Sequence, residues 1–445
     1  MRFRACRSRL ALALALALVS IDARAQAGAT TDVALSLDEA LSRAVTVSHR
    51  IAEARARGDA ATAAIGSRHA ATLPQVAAVG GYTRTNHIEE FGILMPNNQL
   101  RVIYPDIPDN YRARLDVQWP IYTSGRLQAI EQAARLDEAA AARDVDTTSV
   151  DVRLDTTRAF WNLVVARESE RVVGESLARM GAHVRDVRNH FEAGLIPPND
   201  VLSAEAQEAR QRMLAVQART AREMAEADLA RLIGLEPGLR PIPGAVLEPP
   251  TVSGDLGALV TAARQARPER QALEQRIAAA GFRQRAAGAG RRPVVALAGG
   301  VDYARPNPRI FPRLGEWRES WDAGINVSWP VFDGGRTKAE VAEASAGVRA
   351  LQSRLAELDS LIALEIRQRL SELDATRAAL DAADAAIRAA TEARRVVGER
   401  FTAGVASSTD VIDAQVAILQ AQLDRTQAIA SARLAEARLN RALGR

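Results

Sequence analysis

The 445-residue sequence is poor in cysteine and in aromatic residues, with Cys6 as its one cysteine and only 4% Phe, Trp and Tyr. A single cysteine excludes an internal disulfide and a cluster of thiolate metal ligands. Alanine supplies much of the hydrophobic fraction, and it forms helices well but buries little apolar area. These shortages disfavour both a disulfide-stapled domain and a large globular core.

Long hydrophobic runs are also missing, because no segment reaches the roughly 18 apolar residues that a transmembrane helix needs. The longest run, residues 10–19, follows four arginines and precedes Ala23-Arg24-Ala25. This order predicts a secretory signal peptide over residues 1–25, cleaved so that the mature chain begins at Gln26. Cys6 precedes the apolar run, so it is not a lipid-attachment cysteine.

The mature chain also has no net charge. Five of the 58 basic residues and one of the 54 acidic residues lie within residues 1–25, which leaves 53 of each sign. A neutral chain has no electrostatic attraction to polyanions as a whole. We therefore expect no nucleic-acid partner.

The two halves of the chain repeat the same motifs 210 residues apart. Residues 119–126 (WPIYTSGR) match residues 329–336 (WPVFDGGR), and residues 191–202 match residues 401–412 in their Phe, Gly and Asp-Val positions. Self-similarity at a fixed spacing indicates a duplicated fold. The sequence therefore predicts a first repeat over 26–235, a Pro-rich linker over 236–253 and a second repeat over 254–445.

Each repeat is predicted to contain the same elements in the same order. These are a helical segment (36–70; 254–290), a β-hairpin (73–122; 292–332), a long helix (126–190; 336–400), a tip turn (191–199; 401–409) and a return helix. A helix of about 65 residues extends roughly 100 Å. Asp200, and either Thr409 or Asp410, are the expected N-caps of the return helices.

The hairpins alternate between apolar and polar residues, most clearly over 112–119 and 321–329. This period predicts four strands near 75–83, 112–120, 294–303 and 321–329, each long enough for a tilted membrane strand. Twelve of the 17 aromatic residues beyond residue 25 lie in the two hairpins. The expected aromatic girdle comprises Tyr82, Trp119, Tyr122, Trp317, Trp321 and Trp329. A soluble hairpin with one buried face would also alternate, but it would not explain the signal peptide and the clustered aromatics together.

Four strands cannot close into a barrel, since the smallest membrane barrels have about eight. An open sheet in lipid would leave unpaired backbone groups along both edges, at a cost of several kcal/mol each. We therefore expect several copies of the chain to complete one barrel around a shared pore.

The duplicated W-P-[IV]-[YF]-x-x-G-R and F-x-x-G-x(5)-D-V-[LI] motifs resemble those of the TolC-type outer-membrane efflux and secretion channels, over about residues 36–442. The resemblance implies an α+β membrane protein: a homotrimer with a 12-strand outer-membrane barrel continued by a periplasmic α-helical coiled-coil tunnel. It also implies a passive export duct that docks to a periplasmic adaptor and an inner-membrane pump or ABC exporter. Without a lipid-attachment cysteine, the chain resembles the non-lipidated members.

The same resemblance assigns roles to both helical tips. It implies that the adaptor contacts Gly194, Leu195, Gly404 and Val405, and that Asp410 and Asp413 belong to an acidic ring at the closed periplasmic aperture. The first repeat has Asp200 and Ser203 at the corresponding positions. Helix N-capping would also account for Asp200 and Asp410, but not for Asp413.

Phe401 and Ala406 stand where some family members have a Tyr and an Arg that lock the aperture. Neither residue can make such a polar lock. The resemblance then implies a gate closed by apolar packing of Phe401.

No catalytic cluster is apparent in the sequence, and we expect no enzyme activity, cofactor or metal. The histidines are scattered and are expected on the surface: His49, His69, His87, His183 and His190. The alternative function is a secreted or periplasmic coiled-coil structural protein without a pore. That alternative lacks sustained heptads and leaves the amphipathic strands unexplained.

Overall fold

The computed structural model describes residues 31–236, 238–244 and 255–445, so the expected signal peptide lies outside the described residues. Helices dominate, and a single four-stranded sheet stands at one end of them. The helices are α1 (Leu37–Val47), α2 (His49–Ala70), α3 (Arg126–Glu192), α4 (Pro198–Ile233), α5 (Leu256–Ala266), α6 (Pro268–Gly288), α7 (Arg336–Thr402) and α8 (Ser408–Ala442). The strands are β1 (Thr31–Leu35), β2 (Gln75–Arg84), β3 (Phe91–Leu94), β4 (Leu100–Tyr104), β5 (Asp109–Tyr122), β6 (Leu239–Pro243), β7 (Val294–Arg305) and β8 (Arg318–Ser328).

The long helices α3 and α7 each have 67 residues and begin 210 residues apart, at 126 and 336. Each extends roughly 100 Å and runs two residues further than the sequence-based end at 190 or 400. The helix α3 packs against both α4 and α8, and α8 packs against α7. This order leaves α4 and α7 at opposite sides of the bundle.

The two helical segments expected at 36–70 and 254–290 are each divided in the structure. Ser48 ends α1 in an extended conformation, and its hydroxyl then accepts the N–H of Ile51 to begin α2. Arg267 is extended between α5 and α6 because Pro268 disfavours the helical conformation of the residue before it. Alanine-rich periodicity continued across both breaks and concealed them.

Apolar side chains are buried in separate clusters along the helices. One lies where α1, α2, α3 and α4 meet around Phe160 and Leu163, both 0% exposed. A second joins α5, α7 and α8 around Ile366 and Leu439, and a third lies near the tips around Met180 and Ile412. The described part of the chain contains no helix apolar enough over sufficient length to cross a membrane.

The four-stranded sheet is antiparallel throughout, in the order β2-β5-β7-β8. Its strands overlap the four spans expected from period-two alternation. The middle pair, β5 and β7, joins the first hairpin to the second. The strands β2 and β8 each have one neighbour in the sheet, so each leaves an edge open.

Two further strand pairs were not expected from the sequence. The strand β6 pairs in parallel with β1, although it falls within the expected linker and contains Pro241 and Pro243. Proline is tolerated there because β6 is an edge strand in a two-stranded sheet. The strands β3 and β4 form a short hairpin within residues 85–108, which connect β2 to β5 and are longer than the equivalent connection, residues 306–317, in the second repeat.

Candidate functional site

The register of the sheet gathers its apolar side chains on one face. Leu115 pairs with Ala78 on one side and with Val301 on the other, and Val301 pairs with Trp321. Side chains on this face are exposed, up to 76% for Trp321 and 67% for Ile325. Exposure of such a surface to water is unfavourable, and contiguous apolar patches of this kind mark contacts with protein or lipid.

The opposite face carries a network of ion pairs across three strands. The Arg112 side chain on β5 donates two hydrogen bonds to Asp302 on β7, at 2.5 and 3.1 Å. Arg114 donates to Asp116 at 2.6 Å, also contacts Asp302, and lies 3.0 Å from Asp322 on β8. The Asp302 side chain is only 2% exposed beneath these arginines. The network therefore joins the two hairpins on their polar face.

Gly300 makes room for this network. A Cβ atom at position 300 would lie 2.9 Å from Nη2 of Arg114 and 2.6 Å from the carbonyl oxygen of Leu115. A larger residue would push the guanidinium away from Asp302. The requirement for glycine therefore follows from a close side-chain approach across the sheet.

All six residues expected in the aromatic girdle are exposed, by at least 40%. Tyr82 and Trp317 lie at the loop end of the sheet, where Tyr82 contacts Tyr111, and Trp317 contacts both Tyr111 and Tyr303. Tyr111 and Tyr303 thus extend the expected aromatic set. The remaining four lie elsewhere: Trp321 within β8, Trp119 and Tyr122 near the helical end of β5, and Trp329 directly after β8.

Trp119 and Trp329 make equivalent contacts at the helical end. The indole N–H of Trp119 donates to the carbonyl oxygen of Thr72 at 3.1 Å, and that of Trp329 donates to Arg291 at 3.0 Å. Each acceptor follows the short helix that leads into its hairpin. An exposed ring with its polar atom satisfied at one end suits a boundary between apolar and polar surroundings.

The tip turns have the same backbone geometry in both repeats. Gly194 and Gly404 have φ angles of 70° and 74°, in the left-handed region that favours glycine after a helix end. The N–H groups of Leu195 and Val405 donate to carbonyl oxygens five residues earlier, both at 2.9 Å. The Leu195 and Val405 side chains are 70% and 62% exposed, so each tip presents one apolar side chain to its surroundings.

The expectation that Asp200, Thr409 or Asp410 caps a return helix is wrong. Asp200 is the third residue of α4, because Pro198 has a φ suited to the first helical position and starts the helix earlier. Ser407 caps α8, where its hydroxyl accepts the N–H of Asp410 at 3.2 Å.

Asp410 completes a reciprocal capping box at the start of α8. Its carboxylate accepts the backbone N–H of Ser407 at 2.9 Å and the Ser407 hydroxyl at 2.8 Å. These two hydrogen bonds hold the pKa of Asp410 below its usual range, and the bond from the backbone N–H has the larger effect. Asp413 is exposed one turn later and makes no hydrogen bond or ion pair within the described ranges.

Phe401 and His183 form an unexpected contact behind these acids. The Phe401 ring lies 5.3 Å from the rings of both His183 and His190, and it packs against the cluster around Met180. His183 is only 5% exposed, so its expected surface position is wrong. Its Nε2 lies 3.0 Å from the hydroxyl of Ser408, and burial lowers its pKa.

The structure therefore brings Asp410, Asp413 and Phe401 to one end of the helices and the aromatic residues to the other. The sequence argument missed the Arg114–Asp302–Asp322 network and the burial of His183. Charged residues at alternate positions of β5 were a visible signal for the network, but their partners on β7 and β8 depend on register. No group of three or more potential metal ligands occurs among the residues that the structure describes.

A two-faced sheet continued by helices of roughly 100 Å defines a membrane-type β domain joined to a long helical domain. The family model described as outer membrane efflux protein matches residues 40–235 and 259–445. The chain therefore belongs to the outer membrane efflux protein family.

Comparisons with individual proteins agree with this assignment. Protein CyaE of Bordetella pertussis is 27% identical over 390 residues, which cover 86% of this chain and 78% of that protein. The CmeC outer membrane channel of Campylobacter jejuni matches with a TM-score of 0.77 at 17% identity, over 92% of this chain and 85% of CmeC. The outer membrane protein VceC of Vibrio cholerae matches with a TM-score of 0.74 at 20% identity, over 92% of this chain and 96% of VceC. At these identities the two structures show the fold.

The expected resemblance to TolC-type channels is confirmed, as is the combination of a β domain with an α-helical tunnel. The protein is an efflux or secretion channel of the outer membrane, with its helical tunnel in the periplasm. Its family consists of transport channels rather than enzymes.

Proposed function

We propose that three copies of this chain form one channel, each contributing four strands to a 12-strand barrel. The observation that carries this proposal is a sheet with an exposed apolar face, a charged opposite face and open edges at β2 and β8. Pairing β2 of one copy with β8 of the next would satisfy both edges, which lipid cannot do. The apolar face would then contact lipid, and the face with Arg114 and Asp302 would line the lumen.

The helices support the same arrangement. Apolar side chains remain exposed on α4, including Leu202 and Val216, and on α7, including Leu361 and Leu364. Because α4 and α7 lie at opposite sides of the bundle, a ring of copies would bring the α4 of one chain against the α7 of the next. Burial of these rows would stabilise the tunnel.

The channel acts as a passive export duct in this proposal. The tips at Gly194-Leu195 and Gly404-Val405 would dock onto a periplasmic adaptor, which connects the duct to an inner-membrane pump or ABC exporter. Each tip combines a rigid glycine turn with an exposed apolar side chain, and such a side chain can anchor in a partner's pocket. Energy for transport would come from the pump.

Asp410 and Asp413 would form the acidic ring of the periplasmic gate, with Asp200 contributing from the first repeat. Threefold symmetry would bring six carboxylates from Asp410 and Asp413 around one axis, where they repel one another and attract cations. Phe401 would hold the resting gate by its packing against His183 and His190.

Conductance in planar lipid bilayers tests the gate. We expect cation-selective channels that multivalent cations block, and we expect Asp410→Asn with Asp413→Asn to abolish the block. Asparagine keeps an oxygen that can accept the N–H of Ser407, so the start of α8 is preserved. Asp38→Ala with Asp59→Ala removes two exposed carboxylates from α1 and α2 as the matched control. Unchanged selectivity and block in the asparagine variant would refute this assignment of the gate.

A further inference from the structure

The segment between β7 and β8, residues 306–317, folds back over the polar face of the sheet; we call it the strap. Asn307 is 2% exposed, and its side-chain amide donates to the carbonyl oxygen of Arg318 at 2.9 Å and to the Ser320 hydroxyl at 3.0 Å. Ser320 lies on the same face of β8 as Asp322. The start of the strap therefore packs onto the charged face, whereas its last residue, Trp317, contacts Tyr111 and Tyr303 on the apolar face.

An ion pair carries the strap further along the sheet. A guanidinium nitrogen of Arg309 lies 2.7 Å from Asp322, which also contacts Arg114. Asp322 is four residues inside β8, about 13 Å from its first residue at the usual rise of a strand. A loop that only connected the ends of β7 and β8 would not need to contact a residue so far inside β8.

A cavity of about 270 Å³, open to solvent, lies between the strap and the strands. Its wall on the strand side is formed by polar-face residues, including Thr83, Asn110 and Arg112, and its other wall is formed by Pro306, Pro308 and Arg313. This cavity lies at the end of the sheet remote from the helices. If the helices extend into the periplasm, this end is the outer mouth.

A second contact holds the far side of the strap. Arg313 donates to the Tyr104 hydroxyl at 2.6 Å, and its guanidinium carbon lies 5.0 Å from the centre of that ring. Arg305 donates to the carbonyl oxygen of Gly315 at 2.7 Å, which closes the base of the loop. The strap is thus tied to β8 at one side and to the end of β4 at the other.

We propose that the strap narrows the outer exit of the channel and that Arg309 sets its position, which makes Arg309 a determinant of the size of solute that passes. This inference rests on the proposed function, in which the charged face lines the lumen. Three straps would converge on one axis in the trimer. The Arg309 and Asp322 side chains are 40% and 37% exposed, so water screens their attraction and a bulky cargo can displace the strap.

Thiol labelling of intact cells tests the strap. Gln118→Cys, in a chain with Cys6 replaced by Ser, places a reporter on the charged face toward the helical end of β5. Membrane-impermeant maleimides of graded size are added from outside. We expect small reagents to label the reporter readily and bulky reagents slowly, and we expect Arg309→Ala to raise the rate with bulky reagents several-fold.

Two variants serve as comparisons. Arg309→Lys retains the positive charge and should bring the rate with bulky reagents back toward that of the parent. Arg101→Ala removes an exposed arginine from β4 that makes no ion pair in the described structure, and it should leave every rate unchanged.

The possible failures are distinguishable. Equal rates with bulky reagents in the parent and in Arg309→Ala, with small reagents still reacting, would overturn the role of the strap alone. A reporter that no reagent labels in either protein until denaturation would instead place the charged face outside the lumen, and would overturn the proposed function together with the strap.

Discussion

A single buried histidine shows how the gate region depends on its neighbours. His183 is enclosed by Phe401 from α7 and Ser408 from α8, so three helices meet at this side chain. The pattern around His183 does not indicate burial, because charged residues surround it in the sequence and α3 has no clear apolar stripe. The contacts that bury it come from residues more than 200 positions away.

We predict that acidification loosens the start of α8 through His183. Burial, above all, lowers the pKa of His183 below 6.5; the hydrogen bond with Ser408 and, more weakly, Asp186 oppose this shift, and nearby His190 adds to it. The opened state therefore binds more protons than the closed state, so the free energy of opening falls as the pH drops below about 6.5 and is unaffected above it. Hydrogen-exchange protection of amides 408–418, corrected for intrinsic rates, should decrease from pH 7.5 to pH 5.5.

His183→Gln keeps a side chain that can hydrogen-bond to Ser408 but cannot titrate, so the protection of amides 408–418 should not respond to pH in this range. His190→Gln is the matched control and should retain the response of the parent. An equal loss of protection in His183→Gln would show that another group causes it.

At the scale of elements, the sequence predicts the strands well because successive side chains point to opposite faces of the sheet, one apolar and one charged. The ends of α3 and α7 were also predictable to within two residues, since Gly194 and Gly404 mark the turns that follow them. The pairing of β1 with β6 could not be predicted. Pro241 and Pro243 read as a linker, and only the distant β1 gives that segment a partner.

We predict that Asp302→Asn weakens the junction between the two hairpins. In the parent protein the Asp302 carboxylate is almost fully covered and pairs with Arg112 and Arg114. The substitution leaves both arginines beside a neutral side chain. Loss of one partner from a covered hydrogen-bonded network costs on the order of 2 kcal/mol. The temperature at which oligomers dissociate on semi-native gels should therefore decrease.

Asp116→Asn supplies the control for this substitution. Among the residues that the structure describes, the Asp116 side chain forms an ion pair with Arg114 alone. It lies on the same face and is 41% exposed, so its neutralisation should change the dissociation temperature much less. Similar decreases for both variants would argue that the Asp302 network does not hold the hairpins together.

At the scale of the whole molecule, the surfaces left uncovered are more informative than those that are buried. Within the described ranges, the sheet has two open edges, no helix or strand covers its apolar face, and α4 and α7 expose apolar side chains. The sequence alone indicated that other chains must complete the sheet. The strands can be counted from their alternating residues, and the need for a closed barrel in lipid is general. It could not indicate the strap, whose position depends on a contact between Arg309 and Asp322 across a folded loop.

The central claim is that this chain is one third of a channel. Native mass spectrometry of the protein, extracted from outer membranes in mild detergent, measures the number of chains directly. The account predicts a complex of three chains, with no stable folded monomer. A monodisperse, folded single chain that conducts ions in bilayers would contradict it.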